Sequence, residues 1–208
     1  MNITPQKAEE IRSNLVTDLR SQQPEFFAAR RIFDIIPAIF STSVKCTEWK
    51  VKVANLLSVD PCSIYVIGTA CTVVSLNPHK NFKVFDEGRQ SDIDIAVISG
   101  FHFEMAWRAL RNVGAGKYRL DAAGQAAIQE HRDSHVYWGM FATDKILSAL
   151  PFGRDWIDAS LQISKEDPMR GREVKFRLYR DTFSFVGYHV NGLRQMRQQL
   201  LANSQSKK

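Results

Sequence analysis

Ser91-Asp92-Ile93-Asp94-Ile95-Ala96-Val97-Ile98 sets two carboxylates one residue apart in an otherwise apolar run. Strand side chains alternate between faces, so Asp92 and Asp94 share one face while Ile93 and Ile95 point into a core. Two aspartates on one buried face repel each other. A divalent cation between them relieves the repulsion, and hard oxygen donors suit Mg²⁺ or Mn²⁺. The plainer reading of the same run is an edge strand carrying two solvated aspartates. Upstream, Ser63-Ile64-Tyr65-Val66-Ile67-Gly68-Thr69 is a second apolar run, ending in a glycine and a hydroxyl. Gly68 admits close approach of a ligand to backbone, and Thr69, with Thr72 beyond it, can donate to a phosphate.

A strand ending in Gly-Thr, followed by a strand carrying Ser-Asp-x-Asp, resembles the nucleotidyltransferase superfamily of DNA polymerase β. That superfamily includes CCA-adding enzymes, aminoglycoside nucleotidyltransferases, oligonucleotide cyclases and minimal nucleotidyltransferases of toxin–antitoxin systems. The likeness covers roughly residues 60–100. It implies an α+β fold with a mixed sheet packed against helices, and a nucleoside triphosphate held at Gly68 and Thr69. It further implies metal ions on Asp92 and Asp94 and a third carboxylate on a later strand.

The best later strand is Glu173-Val174-Lys175-Phe176-Arg177-Leu178-Tyr179-Arg180. Its alternation sends Val174, Phe176 and Leu178 to the core and Glu173, Lys175, Arg177 and Tyr179 to the other face. Glu173 is therefore the candidate third metal ligand and catalytic acid beside Asp92 and Asp94. The centre of that face carries Lys175 and Arg177 instead, and an arginine at the third acid's position would disfavour a metal there. Lys175, Arg177 and Arg89 are candidates to hold a triphosphate, and Ser91 to orient Asp92. Asp144, Asp155 and Asp158 are weaker choices for the acid because they fall in helical or turn-rich sequence.

The remaining residues set the frame. A chain of 208 residues is long enough for a real core and predicts one domain, and 44% hydrophobic with 24% charged residues is ordinary for a globular protein. A net charge of +6 favours polyanionic partners such as nucleotides, nucleic acid or an acidic protein, although many proteins carry such a charge without binding nucleic acid. Cys46, Cys62 and Cys71 form no Cys-x-x-Cys, which argues against a thiolate zinc site or disulfide framework and fits a reducing cytoplasm. No apolar run reaches membrane-spanning length and no signal-peptide core opens the chain, so a cytoplasmic location without membrane contact is expected.

Residues 1–58 read as helical. Thr4-Pro5 starts a first helix carrying Ile11, Leu15 and Leu19. A second follows Pro24 with an apolar face of Phe26, Phe27, Ile32, Ile35 and Ile36, stopped by Pro37. A third runs from a Thr47 cap to Leu57. Residues 59–112 hold the two quoted runs, an extra loop or short hairpin between them, and a helix over 103–112. Residues 113–170 read as a largely helical insert that opens on a turn at Gly114-Ala115-Gly116. Residues 171–203 supply the last strand and a helix over 183–201, before a polar, frayed tail. His131 and His135 at helical spacing read as polar surface. Tyr137, Trp138 and Phe141 are better placed in a core than stacked on a base.

Three functions follow. The first is nucleotidyl transfer from a nucleoside triphosphate to RNA, a nucleotide, a small molecule or a protein side chain. The second is a catalytically impaired nucleotidyltransferase-like module that binds nucleotide or a protein partner, as in a bacterial defence or toxin–antitoxin system. The third is plain RNA binding through the basic surface, with an affinity that falls steeply with salt.

Overall fold

Alternating burial along two six-residue runs organises the chain. In the computed structural model, which describes residues 3–114 and 122–205, β1 (Ile64–Ile67), β2 (Ile93–Ile98), β3 (Met140–Ala142) and β4 (Val174–Tyr179) form one mixed sheet in the order β1-β2-β4-β3. β2 is antiparallel to β1 and parallel to β4, and β3 is antiparallel to β4. The fold is thus α+β, and β2 lies inside the sheet rather than at its edge.

The alternation works as the residue pattern demands. Ile64, Val66, Ile93, Ile95, Val97, Val174, Phe176 and Leu178 enter the main core. There they meet Trp49 and Val53 of α3 (Ser43–Leu57), Phe103 and Ala106 of α5 (Gly100–Gly114), and Trp156 of α7 (Gly153–Ile163). Trp156 packs edge-on against Phe176 with ring centroids 5.3 Å apart. Burying a side chain of that size stabilises the fold by about 2–3 kcal/mol. The opposite sheet face is covered only in part. Phe185 of α8 (Thr182–Gln205), with Phe33, closes over Ile67, Ala96 and Tyr179. α8 also packs Val190, Leu193 and Met196 against Leu15 and Leu19 of α1 (Pro5–Ser21) and Phe27 of α2 (Pro24–Ala28).

Several expectations shift. Thr4 caps α1 as its sequence suggests, accepting from the Lys7 N–H at 3.3 Å. The third helix starts earlier: Thr42 accepts from the Lys45 N–H at 3.2 Å, and Cys46 and Trp49 already face the core, so Thr47 is interior to the helix. After α2 the backbone widens into a π-turn over Ala29–Phe33 and stops at Asp34, before Pro37 is reached. That change of pitch re-aims the apolar face. Phe27 and Ile32 are buried, while Phe26 and Ile36 are 59% and 50% exposed.

The insert is not helical throughout. It contains α6 (Ala122–Glu130), α7 and, between them, β3, a strand of three residues entered through Gly139 at φ +64°. The turn expected at Gly114-Ala115-Gly116 extends outside the described residues. α8 carries on through Asn203 to Gln205, past the point where fraying was expected. No helix among the described residues is long and apolar enough to cross a membrane.

Candidate functional site

The register of the sheet builds the site. Ile67 of β1 sits opposite Asp94 of β2, and Asp94 sits opposite Lys175 of β4. The turn at Gly68, the two aspartates and the polar face of β4 therefore meet at one end of the sheet. Gly68 has φ +66°, and a Cβ built there would lie 3.5 Å from Asp94 Oδ2. Glycine is needed for the backbone angle, and it leaves the Asp94 carboxylate next to the turn. The turn continues as the single helical turn α4 (Thr69–Thr72) and leaves it at Val73 with φ +68°. A β-branched residue in that region costs about 1–3 kcal/mol of local strain. Burial of Val73 and the Phe85 N–H bonded to its carbonyl at 2.8 Å hold it there.

Both aspartates meet basic side chains of β4. Lys175 Nζ donates to Asp92 Oδ2 at 2.7 Å and lies 3.2 Å from Glu173 Oε2. Arg177 donates through Nη1 to Asp144 Oδ1 at 2.5 Å, and its Nη2 lies 3.1 Å from Asp94 Oδ1. The second contact is an ion pair without hydrogen-bond geometry, so Asp94 Oδ1 is buried with no hydrogen bond. Each cation thus stands between two acids: Lys175 between Asp92 and Glu173, Arg177 between Asp94 and Asp144.

The titration directions follow from this arrangement. Burial raises the Asp92 carboxyl, but the Lys175 ammonium, a backbone hydrogen bond and the charge of Lys80 together outweigh it and hold the group below its ordinary value. Burial dominates at Asp94. The Arg177 charge pulls it down and the neighbouring Asp92 pushes it up, and the net shift is upward. Burial alone would lower Lys175 and Arg177, yet their acidic partners raise both. Lys80, on the loop between α4 and β2, also lowers both aspartates through its charge.

The other sequence candidates are placed as follows. Thr69 is half-buried beside Gly68, whereas Thr72 is buried and its hydroxyl lies 2.8 Å from the Val74 carbonyl and 3.1 Å from that of Gly68. Ser91 exchanges hydrogen bonds with Asp86: its Oγ accepts from the Asp86 N–H at 2.9 Å, and its N–H donates to Asp86 Oδ1 at 2.8 Å. Arg89 is exposed. Glu173 precedes β4, is exposed, and reaches Lys175 rather than either aspartate. Asp155 and Asp158 are exposed on α7, which packs on the opposite face of the sheet.

Two residues with structural weight carried no clear sequence signal. Arg172 grips both Asp86 oxygens at 2.7 Å and the Ser91 carbonyl at 3.0 Å, pinning the loop to the start of β4. The expected hairpin is there in reduced form, as a single antiparallel bridge between Val74 and Val84. His131, read as surface, is fully buried. Its Nδ1 lies 2.6 Å from the Ala127 carbonyl, and its Nε2 accepts from the Ala142 N–H at 3.0 Å. Burial lowers its pKa, so the ring is neutral and bridges α6 to β3. Phe141 is buried as expected, but Tyr137 is 82% exposed.

Among the described residues no three His, Cys, Asp or Glu side chains are grouped to hold a metal ion. Comparison with protein-family models, with curated proteins and with solved structures finds no match to this chain.

Proposed function

We propose that this chain is a nucleotidyltransferase-like module that binds a nucleoside triphosphate and does not transfer efficiently from it. The observation that carries this reading is the pairing of Asp92 with Lys175 and of Asp94 with Arg177, across the β2–β4 ladder. The resemblance would put a third acid on a later strand. Here β4, directly beside β2, presents an ammonium and a guanidinium to the aspartates. These cations already counter the repulsion that a divalent ion would otherwise relieve. The donor set therefore does not fit a two-ion centre of Mg²⁺ or Mn²⁺. Activation of an acceptor hydroxyl would lack its metal-bound base.

The competing reading, metal-dependent nucleotidyl transfer, is separated by one assay. Pyrophosphate release is measured from each of the four nucleoside triphosphates with Mg²⁺ or Mn²⁺ and total RNA as acceptor. Wild type is compared with Asp92→Ala/Asp94→Ala, and nucleotide binding is followed in parallel. The module reading expects saturable binding without release. Release that disappears in the double variant would establish a transferase instead.

A further inference from the structure

A cleft of about 510 Å³ is lined by Arg12, Lys80, Asn81, Phe82, Lys83 and Glu87, and its Lys80 is close enough for its charge to act on Asp92 and Asp94. Three of these six residues are cationic. The one acid, Glu87, is turned to the loop itself and accepts from the Val84 N–H at 2.7 Å. Lys80 and Lys83 form no hydrogen bond or ion pair through their side chains among the described residues. Arg12 pairs with Glu9 through Nη1 at 2.7 Å, which leaves its buried Nε without a partner.

The loop that carries the lysines is set rather than floppy. The Ser75 N–H donates to the Lys83 carbonyl at 2.8 Å, and the Lys83 N–H donates to the Lys80 carbonyl at 2.9 Å. Asn81 and Phe82 lie consecutively at φ +41° and +54°, a conformation that costs energy in side-chain-bearing residues and persists only where the surroundings impose it. Their backbone N–H groups donate to no protein acceptor among the described residues. Successive free N–H groups in a left-handed turn, ringed by ammonium and guanidinium groups, make an anion-binding concavity.

We propose that this cleft holds a chain of phosphates, as in a nucleoside triphosphate, without a metal ion. Lys80 and Lys83 bind terminal oxygens, and Arg12 closes the α1 side. The polyphosphate site rests on the cleft; that the phosphates belong to a nucleoside triphosphate rests on the function proposed above.

Calorimetric titration of the full chain with inorganic tripolyphosphate in EDTA tests it. Saturable binding is expected, weakened about tenfold by Lys80→Ala and again by Lys83→Ala, because each removes a charge-assisted contact. Lys80→Arg should retain most of the affinity, which separates a charge contact from a loss of folding. No binding in EDTA, or equal affinity in wild type and Lys80→Ala/Lys83→Ala, would overturn the proposal. So would binding seen only with long RNA and not with tripolyphosphate. Tripolyphosphate binding with no affinity for nucleoside triphosphates would keep the cleft and remove the nucleotide reading. Nucleotide binding indifferent to the lysines would do the reverse.

Discussion

Arg177→Met tests the charge balance of the site most directly. The guanidinium faces Asp94 and Asp144, and the three side chains are 22%, 25% and 23% exposed. Removing one partner of a fully buried pair costs about 3–5 kcal/mol, whereas exposed pairs are worth about 0–1 kcal/mol. A group a quarter exposed falls between, so a loss of about 2 kcal/mol is expected. Most of it comes from Asp94, whose Oδ1 is buried and already lacks a hydrogen bond. Asp94→Asn alone should cost less, because burial has raised that carboxyl and an amide carries no charge to desolvate. In Arg177→Met/Asp94→Asn the stranded charge is gone, and the double variant should recover at least about 1 kcal/mol over additivity.

The pH dependence has a definite sign. An acid raised in the folded state binds protons there more readily than in the unfolded chain. Stability therefore falls as pH rises through the window above the ordinary carboxyl value of 3.8, and is regained on acidification. Arg177→Met widens that window, so its deficit against wild type should shrink as pH is lowered from 7 to 5. Urea denaturation at the two pH values, with equal m-values required, reads both effects. Additive single variants, or a deficit independent of pH, would refute the claim that Arg177 compensates Asp94.

Two further outcomes concern the frame. His131 is lowered by burial, so the stability its neutral ring contributes is present above its ordinary value of 6.5 and is lost as pH falls below it. His131→Phe should be less stable than wild type by about 1–3 kcal/mol at pH 7 through the unpaired Ala142 N–H, yet lose less of its urea midpoint between pH 7 and pH 5. Gly153→Ala would put its Cβ 1.7 Å from the Leu147 carbonyl oxygen, whereas a Cβ at Gly192 meets nothing within 4 Å. Thermal melts should show the first destabilised by about 3 kcal/mol and the second, inside α8, stabilised by about 0.5–1 kcal/mol.

The two six-residue strands were legible because one-sided burial forces a period of two. Ile93 and Ile95, or Val174, Phe176 and Leu178, admit no other arrangement once one face is apolar. That β4 would lie directly beside β2, with Asp94 opposite Lys175, was not legible. Parallel pairing across some eighty residues leaves no local mark. β3 escaped because three residues are too few to show alternation. His131 escaped because its satisfaction depends on a carbonyl one helical turn back and an N–H on β3, neither visible in composition. Thr72 illustrates the converse limit: a hydroxyl in the right stretch of sequence turned to backbone carbonyls rather than outward.

The parallel pairing at the sheet's centre also orders events in time. Asp92 and Lys175 are 83 positions apart, and synthesis runs from the N-terminus. While the chain emerges from a ribosome, β1 and β2 can pair long before β4 exists. For that interval β2 lacks the neighbour it has in the finished sheet, and its two aspartates lack the cations that balance them. The like-charge repulsion between them then goes unbalanced. Arrival of β4 would supply the missing ladder and the missing charges together, making closure of the sheet and neutralisation of the site one late step.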